Sequence, residues 1–285
     1  TSGARPMPGD RPRTGGGALV YRHGLVVRLT HWVNVASMVM LLLSGLQILC
    51  AHPAFYWGDT STFARPLAAV TTSTRDDGAT RGALAIAGAR FDTTGLLGVS
   101  KNADGSASER AFPAWLTLPA ELDLGAGRRW HFFFAWLFAA NGALYLGTGL
   151  ITQRLRRTLI PSRADLAGLG HTALDHLRLR FPRGEAARDY NGLQKLAYLA
   201  VVLGLAPLML ATGLAMSPTI DAWVPALPGL FGGRQSARTI HFLAASALVL
   251  FALTHLVMVL LSGPLNEMRS MTTGWFAIRP EKERA

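Results

Sequence analysis

The sequence predicts an all-α membrane protein, a bundle of four transmembrane helices, and three observations carry that prediction. Half of its 285 residues are hydrophobic and only 16% are charged. Four stretches, Leu29 to Gly58, Trp130 to Gln153, Leu196 to Ile220 and Thr239 to Asn266, contain no Asp, Glu, Lys or Arg. Each exceeds the roughly 20 apolar residues that cross a hydrocarbon core. The basic residues, finally, gather in alternate connecting segments.

Taken in order, residues 1–18 are rich in Arg, Pro and Gly and are predicted to form a disordered cytoplasmic tail. A membrane domain, 19–265, follows, with spans placed at about 28–50, 130–152, 194–217 and 238–262. The first span begins too late and runs too long for a cleaved signal peptide. The loop 51–128 opens on the aromatic cluster His52 to Trp57, and its alternating piece Ala83 to Phe91 predicts a small hairpin. The loop 154–193 carries Leu166, Leu169, Leu174, Leu177 and Phe181 at helical spacing, interleaved with Arg178, Arg180 and Arg183. That pattern predicts a helix lying on an anionic leaflet. Residues 266–285 are predicted to be a second cytoplasmic tail.

Charge sets the orientation. Residues 1–28 hold five Arg against one Asp, and 154–195 hold nine Lys or Arg against four acids. The segment 59–129 is balanced at eight against eight. Lys and Arg in excess mark the cytoplasmic side, so both termini and the loop 154–193 lie inside and the loop 51–128 outside. A basic inner face against the lipid bilayer accounts for the net charge of +11, and no nucleic acid is needed as a partner. Cys50 is the single cysteine, which excludes a disulfide or a cysteine-held cluster within the chain.

Histidines at membrane depth are costly and mark function. The phrase Arg-x-x-His recurs as Arg28 to His31, Arg128 to His131 and Arg238 to His241, with His255 fourteen residues beyond His241. On a helix that spacing separates His241 and His255 by roughly 21 Å along the axis and about 40° around it. They share a face at opposite depths. With the predicted topology His131 meets His241 near the outer surface, and His31 meets His255 near the inner one. Two facing imidazoles are what a six-coordinate b-type haem requires, so the four histidines predict two haems b. No Cys-x-x-Cys-His occurs, so the haems are bound non-covalently. Arg28, Arg128 and Arg238 lie on the solvent side of their histidines and suit the haem propionates, although each also suits an interfacial anchor. Gly45 and Gly142 fall on the histidine faces of their helices, where they let a porphyrin edge approach or simply pack helices.

The third span has no histidine. Its start, Asp189-Tyr190-Asn191-Gly192-Leu193-Gln194-Lys195, places Asn191 and Gln194 on one face at the depth of the inner pair. Their amides suit either a quinone carbonyl or the cap of the helix.

With Arg28-x-x-His31-Trp32, His131, Tyr190-Asn191-Gly192-x-Gln194-Lys195 and the His241/His255 pair, the chain resembles the four-helix dihaem cytochrome b subunits of formate dehydrogenase, nickel–iron hydrogenase and thiosulfate reductase, and bacterial cytochromes b561. The likeness runs from Arg28 to about His255. Phe91 to Gly95, Phe112 to Pro119 and Asp175 to Gly184 resemble a thiosulfate-reductase-like branch. The resemblance implies a bacterial inner-membrane location and a quinone, ubiquinone or menaquinone, bordered by Asn191, Gln194 and Lys195. It also implies a periplasmic partner of the molybdopterin oxidoreductase type. The outer loop is much longer than in the formate dehydrogenase subunit. Two other readings stay open: a stand-alone superoxide:quinone oxidoreductase of cytochrome b561 type, and a haem-free transporter with proton-relay histidines.

Overall fold

The computed structural model describes residues 11–12, 18–74, 78–102, 105–178 and 190–278. Four of its helices are long and apolar enough to cross a membrane: α1 (Leu25–Cys50), α2 (Leu124–Ile151), the run Gly192–Ala215, and α9 (Arg234–Ser262). The third run is built from α6 (Gly192–Leu199), a π-helical segment (Ala200–Leu205) and α7 (Ala206–Ala215), and the short α8 (Pro218–Trp223) follows it. Much of the helical surface is bare leucine, valine and phenylalanine, as a lipid-facing helix requires. Besides Gln47 and Leu49, α1 buries a row of small polar residues, Thr30, Ser37 and Ser44, seven residues apart and at most 2% exposed. Small residues at helix spacing let neighbouring backbones approach closely.

Local chemistry explains the ends. Asp123 caps α2 by accepting from the Ala126 amide. Asn191 and Gln194 form a reciprocal capping box at α6. Gly263, at φ +118°, followed by Pro264 ends α9 and starts α10 (Pro264–Thr273).

Contacts divide the chain into two compact units. One comprises the described residues within Thr1–Val33, Asn141–Ala206 and Leu248–Ala285, the other those within Asn34–Ala140 and Pro207–Ala247.

In the first unit, β1 (Arg11–Pro12), β2 (Ala18–Tyr21) and β9 (Trp275–Ile278) form an antiparallel sheet, with Val20, Phe276 and Ile278 as its apolar cluster. The segment predicted as a tail from 266 is thus helix and strand up to Ile278. Its pairing partner is over 250 residues away in sequence, which local composition does not reveal. Most of the predicted disordered tail, 1–10 and 13–17, lies outside the described residues. The loop 154–193 holds α3 (Arg154–Leu159), α4 (Arg163–Ala167) and α5 (Leu169–Leu177) instead of one amphipathic helix, broken at Pro161 and Gly168. Phe181, Arg180 and Arg183 lie outside the described residues.

In the second unit the loop 51–128 is more than one hairpin. β3 (Ala54–Phe55), β4 (Ala68–Thr74), β5 (Thr80–Ile86) and β6 (Ala89–Asp92) form an antiparallel sheet, and β7 (Gly98–Lys101) pairs with β8 (Ala107–Arg110). The predicted hairpin is the β5–β6 part. β4 reads Ala-Ala-Val-Thr-Thr-Ser-Thr, too weakly alternating to be seen without its partner. The loop is tied to the helices by polar contacts. Arg110, 8% exposed, donates to the Ala120 carbonyl, Gln47 Oε1 and Thr117 Oγ1. Thr239 Oγ1 donates to the Tyr56 carbonyl at 2.7 Å.

Candidate functional site

Each unit brings two of the four membrane histidines face to face. In the first, His31 of α1 and His255 of α9 have ring centroids 6.4 Å apart with planes at 67°. In the second, His131 of α2 and His241 of α9 stand 6.3 Å apart at 62°. A metal binds an imidazole nitrogen at about 2 Å, which puts it about 3 Å from the ring centroid. An iron midway between two such rings therefore separates their centroids by about 6 Å, and both pairs fit it.

The surroundings of the pairs differ. His255 stacks on Phe251, centroids 6.1 Å apart, and Phe251 meets Tyr198 edge-on. His31 meets the Trp32 ring edge-on at 5.4 Å. In the second unit, hydroxyls reach the rings: Ser44 Oγ lies 3.2 Å from His131 Nδ1, and Thr212 Oγ1 lies 2.9 Å from His241 Nδ1. Neither Ser44 nor Thr212 stands out among the many small residues of the spans. The tripeptide Ser44-Gly45-Leu46 is echoed by Thr212-Gly213-Leu214, but the same pattern occurs at Thr94-Gly95-Leu96 and Thr148-Gly149-Leu150, so the sequence carries no signal that singles them out.

The glycines lie against the rings. A Cβ at Gly45 would stand 3.3 Å from His131 Cε1, so this glycine leaves space for the imidazole. At Gly213 a Cβ would stand 3.5 Å from His241 Cε1, an ordinary contact. At Gly142 a Cβ would meet nothing within 4 Å.

The three arginines have protein contacts of their own. Arg28 donates to the Thr272 carbonyl, and Trp32 Nε1 to that of Met271 at 3.1 Å, so α1 holds the C-terminal end of α10. Arg28 Nε is buried without a hydrogen-bond partner among the described residues. Arg128 is exposed and lies over the Phe132 ring. Arg238 donates to the His52 carbonyl and lies over the Phe55 ring. His52 stacks on Tyr56, and its Nε2 is likewise buried without a partner among the described residues.

At the start of α6 the side-chain oxygens of Asn191 and Gln194 are both spent on the capping box. The amide Nδ2 of Asn191 is buried and unpartnered among the described residues, which leaves a donor there. Lys195 is paired with Asp165 at 2.8 Å, and Lys195 together with Ser162 holds that carboxyl down at about 2. Next to Asn191, Tyr190 stacks on His23, with Arg22 over its ring. Burial pushes the Tyr190 hydroxyl up. Burial, reinforced by Arg22 and Arg154, brings His23 down to about 4. Arg22 also faces Glu267 at 3.6 Å.

Four membrane-length helices and facing histidine pairs define a multi-pass membrane cytochrome of the b class. The family model described as prokaryotic cytochrome b561 matches residues 22–274, and the chain belongs to that family. The family implies binding of haem b. Among curated proteins, the chain is similar to a putative protein-methionine-sulfoxide reductase subunit, YedZ1, of Azospira oryzae. The two are 28% identical over 237 residues, which cover 82% of this chain and 88% of that protein. No solved structure matches.

Proposed function

We propose that the protein is an inner-membrane dihaem cytochrome b that carries electrons from the quinone pool to a periplasmic oxidoreductase. The observation that carries this reading is the pair of histidine couples, each at the ring separation of a bis-imidazole iron. Haem b supplies a reversible one-electron carrier. His31 and His255 would hold the haem near the cytoplasmic face, and His131 and His241 the one near the periplasm, with both termini inside. Arg28, Arg128 and Arg238 retain donors for the propionates, and the buried Nε of Arg28 and Nε2 of His52 support carboxylate partners near both sites.

The quinone head group meets the Asn191 amide, whose free Nδ2 donates to a quinone carbonyl, beside the Gln194 cap. Lys195, held by Asp165, acts on that site from a distance. Quinol releases two electrons and two protons. The partner, by likeness to the methionine-sulfoxide reductase subunit, consumes two electrons and two protons to turn a sulfoxide into a thioether and water. A molybdopterin centre suits that oxygen-atom removal.

Pyridine haemochrome assay of the purified chain tests the ligand set. Two haems per chain are expected. His131→Ala and His241→Ala should each remove one spectral component, and His31→Ala and His255→Ala the other. A chain with no haem, or one whose haem survives all four changes, overturns the reading.

A further inference from the structure

We propose that Ser44 and Thr212 are positioning residues that accept from Nδ1–H of His131 and His241. They thereby commit Nε2 of both rings to iron and make this haem site electronically unlike the His31/His255 site. The inference rests on the reading of these histidines as axial ligands.

The argument turns on one proton per hydroxyl. Ser44 Oγ lies 2.6 Å from the Met40 carbonyl, and Thr212 Oγ1 lies 2.7 Å from the Leu208 carbonyl. Each hydroxyl therefore spends its proton on its own helix, four residues back. Towards the ring it can only accept, so the ring nitrogen must be the donor. That selects the tautomer with the proton on Nδ1 and the lone pair on Nε2.

Two separate helices arrive at the same device. On α1 and on α7 the hydroxyl residue meets the ring nitrogen, a backbone carbonyl of the preceding turn (Leu41 for His131, Met209 for His241) also accepts from the ring, and the glycine after the hydroxyl lies against the ring carbon Cε1. Both Ser44 and Thr212 are fully buried, at 0% exposure, so no water competes for these bonds. A hydrogen bond accepted from the far nitrogen makes an imidazole a stronger electron donor to its metal. Stronger donation favours ferric over ferrous iron, so this device lowers the potential of the haem it serves. The rings of His31 and His255 have aromatic neighbours, Trp32 and Phe251, which offer no such acceptor.

The test uses the full chain in detergent, with redox titration and low-temperature EPR of both haems. The variants are Ser44→Ala, Thr212→Val, which keeps the shape and removes the hydroxyl, and Thr212→Ser, which keeps the hydroxyl. In Ser44→Ala and Thr212→Val the potential of one haem should rise. The expected shift is a three- to tenfold change in its ferric-to-ferrous ratio, about 30 to 60 mV at about 59 mV per tenfold for one electron. The other haem and Thr212→Ser should titrate as wild type. Loss of one haem in Thr212→Val but not in Thr212→Ser also supports the proposal, because only the hydroxyl distinguishes the site. Unchanged potentials and EPR in a protein that holds both haems overturn it alone, as does an equal change in Thr212→Ser. Retention of both haems after His131→Ala and His241→Ala overturns the ligand reading on which it stands.

Discussion

The imidazoles of His31 and His255 face each other with their planes crossed at 67°, and those of His131 and His241 cross at 62°. Crossed axial rings leave two iron d orbitals nearly equal in energy, because each ring interacts with a different one. The ferric protein should therefore show two strongly anisotropic low-spin EPR signals. An ordinary rhombic spectrum from both haems would mean that the rings turn parallel when iron is bound.

Gly45 should resist a side chain. A Cβ added there stands 3.3 Å from His131 Cε1. Overpacking of this kind costs about 1–3 kcal/mol. Gly45→Val should lower the haem content of the purified protein to about one per chain. Two haems per chain in Gly45→Val would show that α1 yields without cost.

Asn191 offers a clean separation of cap from donor. Asn191→Asp keeps the oxygen that accepts from the Gln194 amide and removes the Nδ2 donor. Helix stability should hold, while quinol-driven haem reduction slows about tenfold, the worth of about 1.4 kcal/mol of lost hydrogen bonding. Asn191→Leu should add the loss of the cap, about 1 kcal/mol. Reduction at the wild-type rate in Asn191→Asp would leave the residue a helix cap alone.

His23 makes stability depend on pH. Burial holds its folded-state pKa at about 4, below the ordinary 6.5. Between those values the unfolded chain binds a proton that the folded chain refuses, so stability falls as pH drops from 6.5 towards 4. The full effect is about 3 kcal/mol. His23→Gln should flatten the melting temperature between pH 7 and 5 relative to wild type. Parallel pH profiles for the two proteins would place the titrating group elsewhere.

The outer loop should hand electrons to the partner through exposed aromatics. Of the five rings in the 55–57 and 112–115 stretches, Tyr56 is buried and Phe55 packs on Phe242 at 4.4 Å, while Trp57 and Trp115 are 59% and 72% exposed. Exposed tryptophans concentrate interface energy. The double change Trp57→Ala and Trp115→Ala should leave quinol reduction of both haems intact and cut transfer to the periplasmic acceptor about thirtyfold, as for an interface loss of about 2 kcal/mol. Undiminished transfer would exclude this face as the docking surface.

The spans were legible because their cause is local. A run without charge, longer than a bilayer is thick, states its environment without help from the rest of the chain. The depth of each histidine follows as directly from the 3.6-residue turn, and the structure brings together the couples that this period predicts. Asn191 and Gln194 were legible as sharing a face, but the same spacing describes a cap and a ligand site, and only the atoms show that their oxygens are spent on the cap. The sheets of the loop 51–128 were hidden because β4 has little alternation of its own, and the strand Trp275–Ile278 because its partner lies at the other end of the chain. The sequence by itself determined the four spans and the positions of the four histidines along them. Which hydroxyl meets which ring was decided by the tertiary structure alone. Ser44 and His131 are 87 residues apart, and their contact depends on how two helices are rotated about their axes, which no local pattern specifies.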